Sequence, residues 1–587
     1  SYFASVRDAY ELQIDVLMQM SLQYSNRAFA EAALEASERA RARSLLETLG
    51  ETHANIREGV DPQLLERERD LQRKLNSTAA QLRLLGQEAK DERQELRQKI
   101  NELTRERQEV EGQIRSTSPR YAALTRPQPL SVYEIQHQVL DENSLLLEYS
   151  LGDERSYLWA VTRTEVSNYE LPGRAEIESA ARNLYDSITA SQPIAGETFE
   201  QRQARLGKAN AELPSRISAL SEMLIKPVAG KLNTQRLLIV PDGALQYIPF
   251  QLLTKSQADF DDSETVIRTT QRPLVVDHVI VNEPSASALA LLRAENNTRK
   301  SPPNSVAVLA DPVFDKDDPR VRLRGTSNPV AAAAALSDGK MHRALSDVGL
   351  ATSGTGIPRL QASRVEADAI TAVAPRRSSF KAVGFEANRA TAMKAELGEY
   401  RIIHFATHGM LNDEHPELSG IVLSLIDEKG EPQDGFLRLH DIYNLKLPVE
   451  LVVLSACNTG LGKDVRGEGL IGLTRGFMYA GASSVVASLW KVDDDATAEL
   501  MRHFYKFMLK DGLPPPAALR KAQQQMLTQK RWQSPYYWSG FVIQGQYSQN
   551  THSESLHGHG LALKSSLVLL IAAGLLLTLR QRLRLLL

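Results

Sequence analysis

Two residue types that do covalent chemistry together stand at matched places in this chain. Cys457, the one cysteine in 587 residues, follows the apolar run Leu451-Val452-Val453-Leu454 and precedes Asn458-Thr459-Gly460. Upstream, Arg401-Ile402-Ile403-His404-Phe405-Ala406-Thr407 runs into His408-Gly409. Both runs are short, apolar and bounded by turn residues, which predicts two buried strands with a Cys and a His just past their ends. In open α/β sheets, reactive side chains gather at the carboxyl ends of strands. An imidazole with an ordinary pKa near 6.5 can take the proton of a thiol near 8.5, and the imidazolium in turn favours the thiolate. A thiolate attacks a carbonyl, and water releases the resulting thioester. The backbone N–H groups of Gly409 and Cys457 are the candidate oxyanion donors. Glycine at 409 lets the backbone come close to a substrate. Taken singly, each residue has a plainer role. A lone Cys after an apolar strand packs as a small core residue. His404, on the same face as His408 in a period-two count, reads as structural or supporting.

The elements that must position this pair follow from periodicity. From about residue 130 strands and helices alternate, which argues for a sheet flanked by helices. Leu145 to Ser150 and Tyr157 to Val161 read as a hairpin around Gly152-Asp153. Arg236 to Val240 and Val306 to Ala310 are further strands, the second ending at Asp311-Pro312. A second block starts near 360, with strands expected at 401–407, 420–425, 450–456, 483–489 and 541–544. Its helices are expected at 363–374, 388–396, 466–480, 495–509 and 515–528, with Gly481 in the C′ position of the third. Residues 325–356, rich in Ala, Ser, Gly and Asn, read as a mobile excursion.

The N-terminal part is all helical. Residues 1–57 resemble the end of a tetratricopeptide array, with Tyr24, Phe29 and an Ala-rich second helix. One repeat cannot bury its own face, so further repeats are expected upstream. Over 58–118, Leu75, Leu82, Ala89, Leu96, Leu103 and Val110 recur every seven residues, the pattern of a coiled coil. Gly86 permits a helical hairpin. At the other end, Leu561 to Leu579 is apolar but for Lys564, two serines and a threonine, and Arg580, Arg582 and Arg584 follow. Its roughly 19 residues reach the about 17–25 needed to span a bilayer. The expectation is a linker at 549–560 and a membrane helix at 561–579. The positive-inside rule would then place the large domains outside the cytoplasm, and a tail anchor would do the opposite.

Composition narrows the function classes. The net charge is −3 with 24% charged residues, so no global field argues for nucleic acid. One cysteine excludes an intrachain disulfide and a Cys-rich zinc site. No metal site or cofactor is expected, and Gly460-Leu461-Gly462 is too short for a cofactor-binding glycine loop.

Several segments together resemble the CHAT domain family, which belongs to the caspase–separase–gingipain clan of cysteine peptidases and commonly follows tetratricopeptide repeats. They are His404-Phe405-Ala406-Thr407-His408-Gly409 and Leu454-Ser455-Ala456-Cys457-Asn458-Thr459-Gly460, with Pro241-Asp242-Gly243, Glu468-Gly469-Leu470, Gly481-Ala482 and Leu489-Trp490-Lys491-Val492-Asp493-Asp494. The resemblance covers roughly 130–548. It implies an α/β caspase-like fold in two parts, a supporting pseudo-peptidase half at 130–355 and a catalytic half at 356–548. It also implies a dyad of His408 and Cys457. The segment at Trp490 is similar to the one that supplies the basic-residue pocket in separases, which makes Asp494, with Asp493 beside it, the candidate for binding a basic substrate residue. A carboxylate pairs well with a guanidinium. The competing role for Asp493-Asp494-Asp495 is to cap the helix that follows.

The function expected is a cysteine endopeptidase cleaving proteins after a basic residue. It would be regulated by a protein partner bound through the repeats and coiled coil, and anchored to a membrane by the last helix. Arg320, Arg322 and Arg324 mark an expected activation or autocleavage segment. The alternative is a non-catalytic scaffold built on a peptidase-like fold.

Overall fold

The computed structural model describes residues 2–51, helical positions scattered through 63–113, and then 129–547 without 195, 256–271, 297–298, 322–356, 411–418 and 457–468. The excursion expected at 325–356, most of the coiled coil at 58–118, the linker at 549–560 and the segment 561–579 therefore lie outside the described residues.

A single mixed sheet of 13 strands forms the core among the described residues. The first five strands are β1 (Ser144–Ser150), β2 (Ser156–Val161), β3 (Val166–Leu171), β4 (Arg236–Val240) and β5 (Val279–Asn282). There follow β6 (Asn304–Ala310), β7 (Ser379–Val383), β8 (Tyr400–Met410), β9 (Gly420–Val422) and β10 (Phe436–Arg438). The last three are β11 (Leu451–Ala456), β12 (Ser484–Ser488) and β13 (Phe541–Gly545). The order is β10-β9-β8-β11-β12-β13-β5-β4-β1-β2-β3, with β6 beside β8 and β7 beyond β6. The all-apolar runs that read as strands become the central ones. Every residue of β1, β2 and β12 is buried, as expected for strands covered on both faces. The more polar β3 and β7 are partly exposed edges.

The longer helices are α1 (Tyr2–Tyr24), α2 (Arg27–Glu51), α3 (Arg174–Thr189), α4 (Phe199–Leu224), α5 (Ala286–Asn296), α6 (Gln361–Val373), α7 (Gly469–Ala480), α8 (Asp494–Tyr505) and α9 (Pro515–Leu527). Gly481 ends α7 with φ +116°, a conformation that suits glycine. Within 63–113 the described positions are helical, with Leu71, Leu103 and Val110 buried and Glu66, Glu102 and Glu109 exposed.

Strand direction divides the sheet. Strands β6, β7, β8, β11 and β12 run parallel to one another. Strand β13 is antiparallel to β12 and parallel to β5, which continues parallel to β4 and β1. The two sets therefore deliver their carboxyl ends to opposite edges. Direction reverses at the β12–β13 ladder, while the two halves of the chain meet at the β13–β5 ladder, paired at Gln544 and Asn282. It is crossed by the buried Gln251, whose amide donates to the carbonyls of Ser539 (2.7 Å) and Phe541 (3.1 Å).

The carboxyl ends of β1, β4 and β5 are covered by the N-terminal hairpin. Arg41 of α2 donates to the carbonyls of Tyr149 and Pro241, the latter at 2.8 Å. Glu38 accepts the backbone N–H of Ala286 at 2.8 Å and Ser287 at 2.7 Å, at the start of α5, where carboxylates are favoured. Trp159 donates to the Ala30 carbonyl at 3.1 Å, and Asp15 holds Arg155 through both carboxylate oxygens. Between these contacts the fully buried Glu148 receives Ser37 Oγ at 2.7 Å and Arg41 Nε at 3.3 Å. Burial, and after it the charge of Glu38, holds the Glu148 carboxyl well above the usual carboxylate range.

The expected membrane helix, and the membrane localisation drawn from it, find no support among the described helices. No described helix is long and apolar enough to cross a membrane. The physical reason is that the apolar runs form short strands or one-sided helices packed on the sheet. The apolar α7 has 12 residues, about 18 Å at 1.5 Å per residue, against the about 30 Å of a bilayer core. The described fold is a mixed α/β sheet with flanking helices, and none of its described helices is a membrane segment.

Glu148 is the group whose proton matters for docking the hairpin. Its raised value means that its contribution is complete below the unfolded value of about 4.5 and is lost as pH rises toward its folded value. Glu148→Gln copies the neutral acid. The variant is expected to gain on the wild type by up to about 1.4 kcal/mol per pH unit above that point. Urea denaturation of both proteins between pH 5 and 9 measures the gap.

Candidate active site

The site is assembled by three neighbouring parallel strands. Ala310 of β6 pairs with Ala406 of β8, and Ala456 of β11 pairs with Thr407. Strand β8 outlasts β6, and from His408 to Met410 it pairs antiparallel with β9, His408 opposite Val422 and Gly409 opposite Ile421. His408 and Gly409 are buried at this strand end. Cys457 follows Ala456 in the sequence and lies outside the described residues, as does Glu468.

His408 is held on one edge. Its Nε2 is 2.8 Å from the carbonyl oxygen of Pro358. A carbonyl can only accept, so Nε2 carries the proton, and in the neutral ring Nδ1 is the lone-pair nitrogen. Phe314 lies 5.2 Å from the imidazole, centroid to centroid. That ring belongs to a small apolar cluster with Val313, Ile357 and Val422.

His404 is fully buried and does not reach the surface. Its Nδ1 shares a hydrogen bond of 3.0 Å with the Tyr505 hydroxyl of α8. Its Nε2 lies 3.0 Å from Glu366 Oε1 of α6, within ion-pair distance though out of line for a hydrogen bond. The other oxygen of Glu366 accepts from Ser455 Oγ of β11 at 3.2 Å. One buried carboxylate thus joins β8, β11 and α6 directly beneath the strand ends. Burial, with the charge of Glu366, pushes the Tyr505 hydroxyl well above its ordinary value.

The three aspartates after Trp490 have different surroundings. Asp493 caps α8, its side chain accepting from Ala496 N–H at 3.0 Å. Asp495 meets Arg531 at 3.0 Å. The exposed Asp494 has no hydrogen bond or ion pair through its carboxylate among the described residues. Partial desolvation, then the charges of Asp493 and Glu366, hold it above the usual carboxylate range. The preceding segment is braced from the first half of the chain. Trp490 is buried and meets Tyr185 edge-on at 6.0 Å. The Lys491 carbonyl accepts from the Tyr536 hydroxyl at 2.8 Å and from Gln192 at 3.3 Å.

Sequence reading missed Asp311, at the end of β6. It is fully buried with φ +50°, and its carboxylate meets Arg320, Arg359 and Arg364. Arg320, expected in an activation segment, also pairs with Asp318 at 2.6 Å. Arg322 and Arg324 lie outside the described residues. The signal in the sequence was an Asp-Pro directly after an apolar strand, with arginines scattered downstream.

The CHAT domain family model matches residues 215–546. Tetratricopeptide repeat protein 28 of Homo sapiens is 25% identical over 465 residues, which is 73% of this chain and 16% of that protein. The Mus musculus protein of the same name is 36% identical over 121 residues, 21% of this chain and 5% of that protein. The chain thus spans about a sixth of the human relative's length at most. Among solved structures, the Saccharomyces cerevisiae separase–securin complex is similar with a TM-score of 0.42 and 12% identity, covering 74% of this chain and 32% of that one. The Arg-specific cysteine proteinase gingipain R has a TM-score of 0.30 and 10% identity, covering 64% and 74%.

The buried Glu366 contact gives a stability test. Glu366→Ala leaves His404 and Ser455 without their shared partner, and removing one member of a buried pair costs about 3 kcal/mol or more. Chemical denaturation is expected to show this loss, with Glu366→Gln, which keeps an acceptor, losing less.

Proposed function

This chain belongs to the CHAT domain family, and from that premise we propose that it is a cysteine endopeptidase that cleaves proteins after a basic residue. The observation that carries the reading is the state of His408. It sits at a carboxyl strand end with Nε2 committed to the Pro358 carbonyl, which leaves Nδ1 as the base. The paired register of β8 and β11 leads the neighbouring strand into Cys457. In the proposed reaction, Nδ1 takes the thiol proton of Cys457 and the thiolate attacks the scissile carbonyl carbon. The backbone N–H groups of Gly409 and Cys457 receive the oxyanion. The tetrahedral adduct collapses by breaking the C–N bond, and the amine leaves with the proton from the His408 imidazolium. Water, giving its proton to Nδ1, then cleaves the thioester and restores the thiol.

Asp494 is the proposed partner of the basic substrate residue, with Asp493 its neighbour. What supports this is the division of labour among the three aspartates. Asp493 caps the helix and Asp495 meets Arg531, while Asp494 is crowded by like charge that a cation would relieve. We further propose that the N-terminal helices bind a protein partner, a reading supported by the repeat protein named among the relatives. That same name favours a second reading, a non-catalytic scaffold on a peptidase-like fold.

Cleavage of a peptide library by wild type and Cys457→Ala separates the two. The endopeptidase reading expects cleavage after Arg or Lys that the variant lacks. No Cys457-dependent cleavage of any peptide, with or without candidate partners, would overturn it. An electrophilic Arg-ketone peptide adds a second measure. Labelling of Cys457 is expected to slow in His408→Ala, and equal slow labelling in both favours the scaffold.

Asp494→Asn is expected to lower kcat/KM on basic peptides by roughly ten- to a hundredfold, the worth of a charged hydrogen bond of about 1.5–3 kcal/mol. Cation binding needs the ionised acid, and this carboxyl is held above its ordinary range. The wild-type kcat/KM should therefore fall on acidification before an ordinary aspartate would protonate, and a pH profile of both proteins tests whether Asp494→Asn removes that limb.

A further inference from the structure

We infer that Asp311 and Arg359 are positioning residues for His408, acting through the Pro358 carbonyl. The inference rests on His408 as the proposed base. The register that pairs Ala310 with Ala406 brings Asp311 to the strand end beside Thr407, one residue from His408. Asp311 is itself fixed. Its N–H donates to Ser363 Oγ at 3.0 Å, and its own carbonyl receives Gly384 N–H at 3.1 Å and Arg320 Nη1 at 2.7 Å. Its left-handed backbone, φ +50°, turns the chain sharply at the end of β6. From there the carboxylate grips Arg359 with two parallel bonds, Nε to Oδ1 and Nη2 to Oδ2, both 2.8 Å. This fork-to-fork geometry fixes direction as well as distance.

Arg359 follows Pro358, and Pro358 is the residue that cannot secure itself. It has no N–H to donate, and its carbonyl is given to His408. On one side Ile357 enters the apolar cluster beside Phe314. On the other, the Leu360 carbonyl accepts Ser363 Oγ at 2.6 Å at the start of α6. The Arg359 side chain is the polar tie that ends on the same strand edge as His408. The link runs from the Asp311 carboxylate to the Arg359 guanidinium, through the Arg359 backbone to the Pro358 carbonyl bonded to it, and on to His408 Nε2. Its effect is to keep the proton on Nε2 and the lone pair on Nδ1, where the proposed thiol chemistry needs it. The other two guanidiniums hold Asp311 but do not carry the link. Arg320 bonds Asp318 as well, and Arg364 reaches Asp311 at 3.3 Å with its side chain about half exposed.

The test measures the tautomer of His408 directly. Imidazole ¹⁵N shifts are recorded on the full chain, with His408→Gln used to assign the signal. Arg359→Met is expected to move His408 from the Nε2–H form to a mixture, while Arg364→Met leaves it unchanged. On a basic peptide, Arg359→Met is expected to lower kcat on the order of ten- to a hundredfold, as for a catalytic group misplaced by about an ångström, with KM little changed. Arg359→Lys, which keeps the charge but not the two-pronged bond, is expected to fall between and serves if the Met variant does not fold. An unaltered tautomer in a folded Arg359 variant overturns the inference. If the wild type cleaves nothing, the endopeptidase reading falls, and the ¹⁵N shifts still decide whether Asp311 and Arg359 orient His408.

Discussion

The parallel ladders joining β6, β8 and β11 set the level at which each strand gives up its last side chain, because Ala310 is bonded across from Ala406 and Ala456 across from Thr407. Strand side chains alternate faces, so a slip of one residue in either ladder would send His408 to the other side of the sheet. The register is fixed where it is least negotiable, in strands buried on both faces. Ile403, Phe405, Val453 and Val308 are fully buried, and none could be traded for a neighbour without opening the core. Polar ties then add direction to what packing has placed. Glu366 reaches both β8 and β11 from α6, and Asp311 reaches the segment at Pro358.

The opposed direction of the two strand sets gives the molecule two edges of carboxyl ends, and the sequence has used them differently. At the edge of β1, β4 and β5, α2 fills the space with the Arg41 guanidinium and the buried Glu38, which pack around the buried Glu148 of β1. At the other edge His408 faces a proline carbonyl and a phenylalanine ring. Buried polar groups need partners whichever edge they occupy. One edge satisfies them with a helix from the N-terminal hairpin, the other with Pro358 and Arg359.

Much of the sheet was legible because its central strands are unbroken apolar runs. The hairpin at Leu145 and Tyr157, the strand at Arg236, and those ending at Ala456 and Ser488 stand close to where the residues suggested, while the strand expected to end at Thr407 runs on through His408 to Met410. Strands β3 and β7 were not read, since Val166–Leu171 and Ser379–Val383 carry polar residues that suit an edge. The helix expected at 388–396 is only the turn Arg389–Ala392, followed by a short 3-10 turn. Strand β6 was seen but its place was not. It precedes a long interval in the chain, yet it inserts between β7 and β8, a pairing across more than 70 residues that no local pattern announces. That is why Asp311 escaped notice. An aspartate before a proline reads as a turn residue, and its three arginines meet it only in space. His408 was legible for the opposite reason, standing at the end of a run whose burial and direction its own neighbours dictate. Composition suggested a membrane helix, whereas no described helix is long and apolar enough to cross a membrane.

The seam between β13 and β5 has a mechanical meaning. Within each half, strands are laced by ladders of several pairs, five between β1 and β4 and six between β8 and β11. Across the seam the ladder has the single pair Gln544 and Asn282, reinforced by side-chain amides such as that of Gln251. Amide side chains rotate, while backbone ladders must shear as a unit. The plate of strands is therefore jointed rather than uniform, because side-chain amides carry part of the bond between its two chain halves that a backbone ladder carries elsewhere.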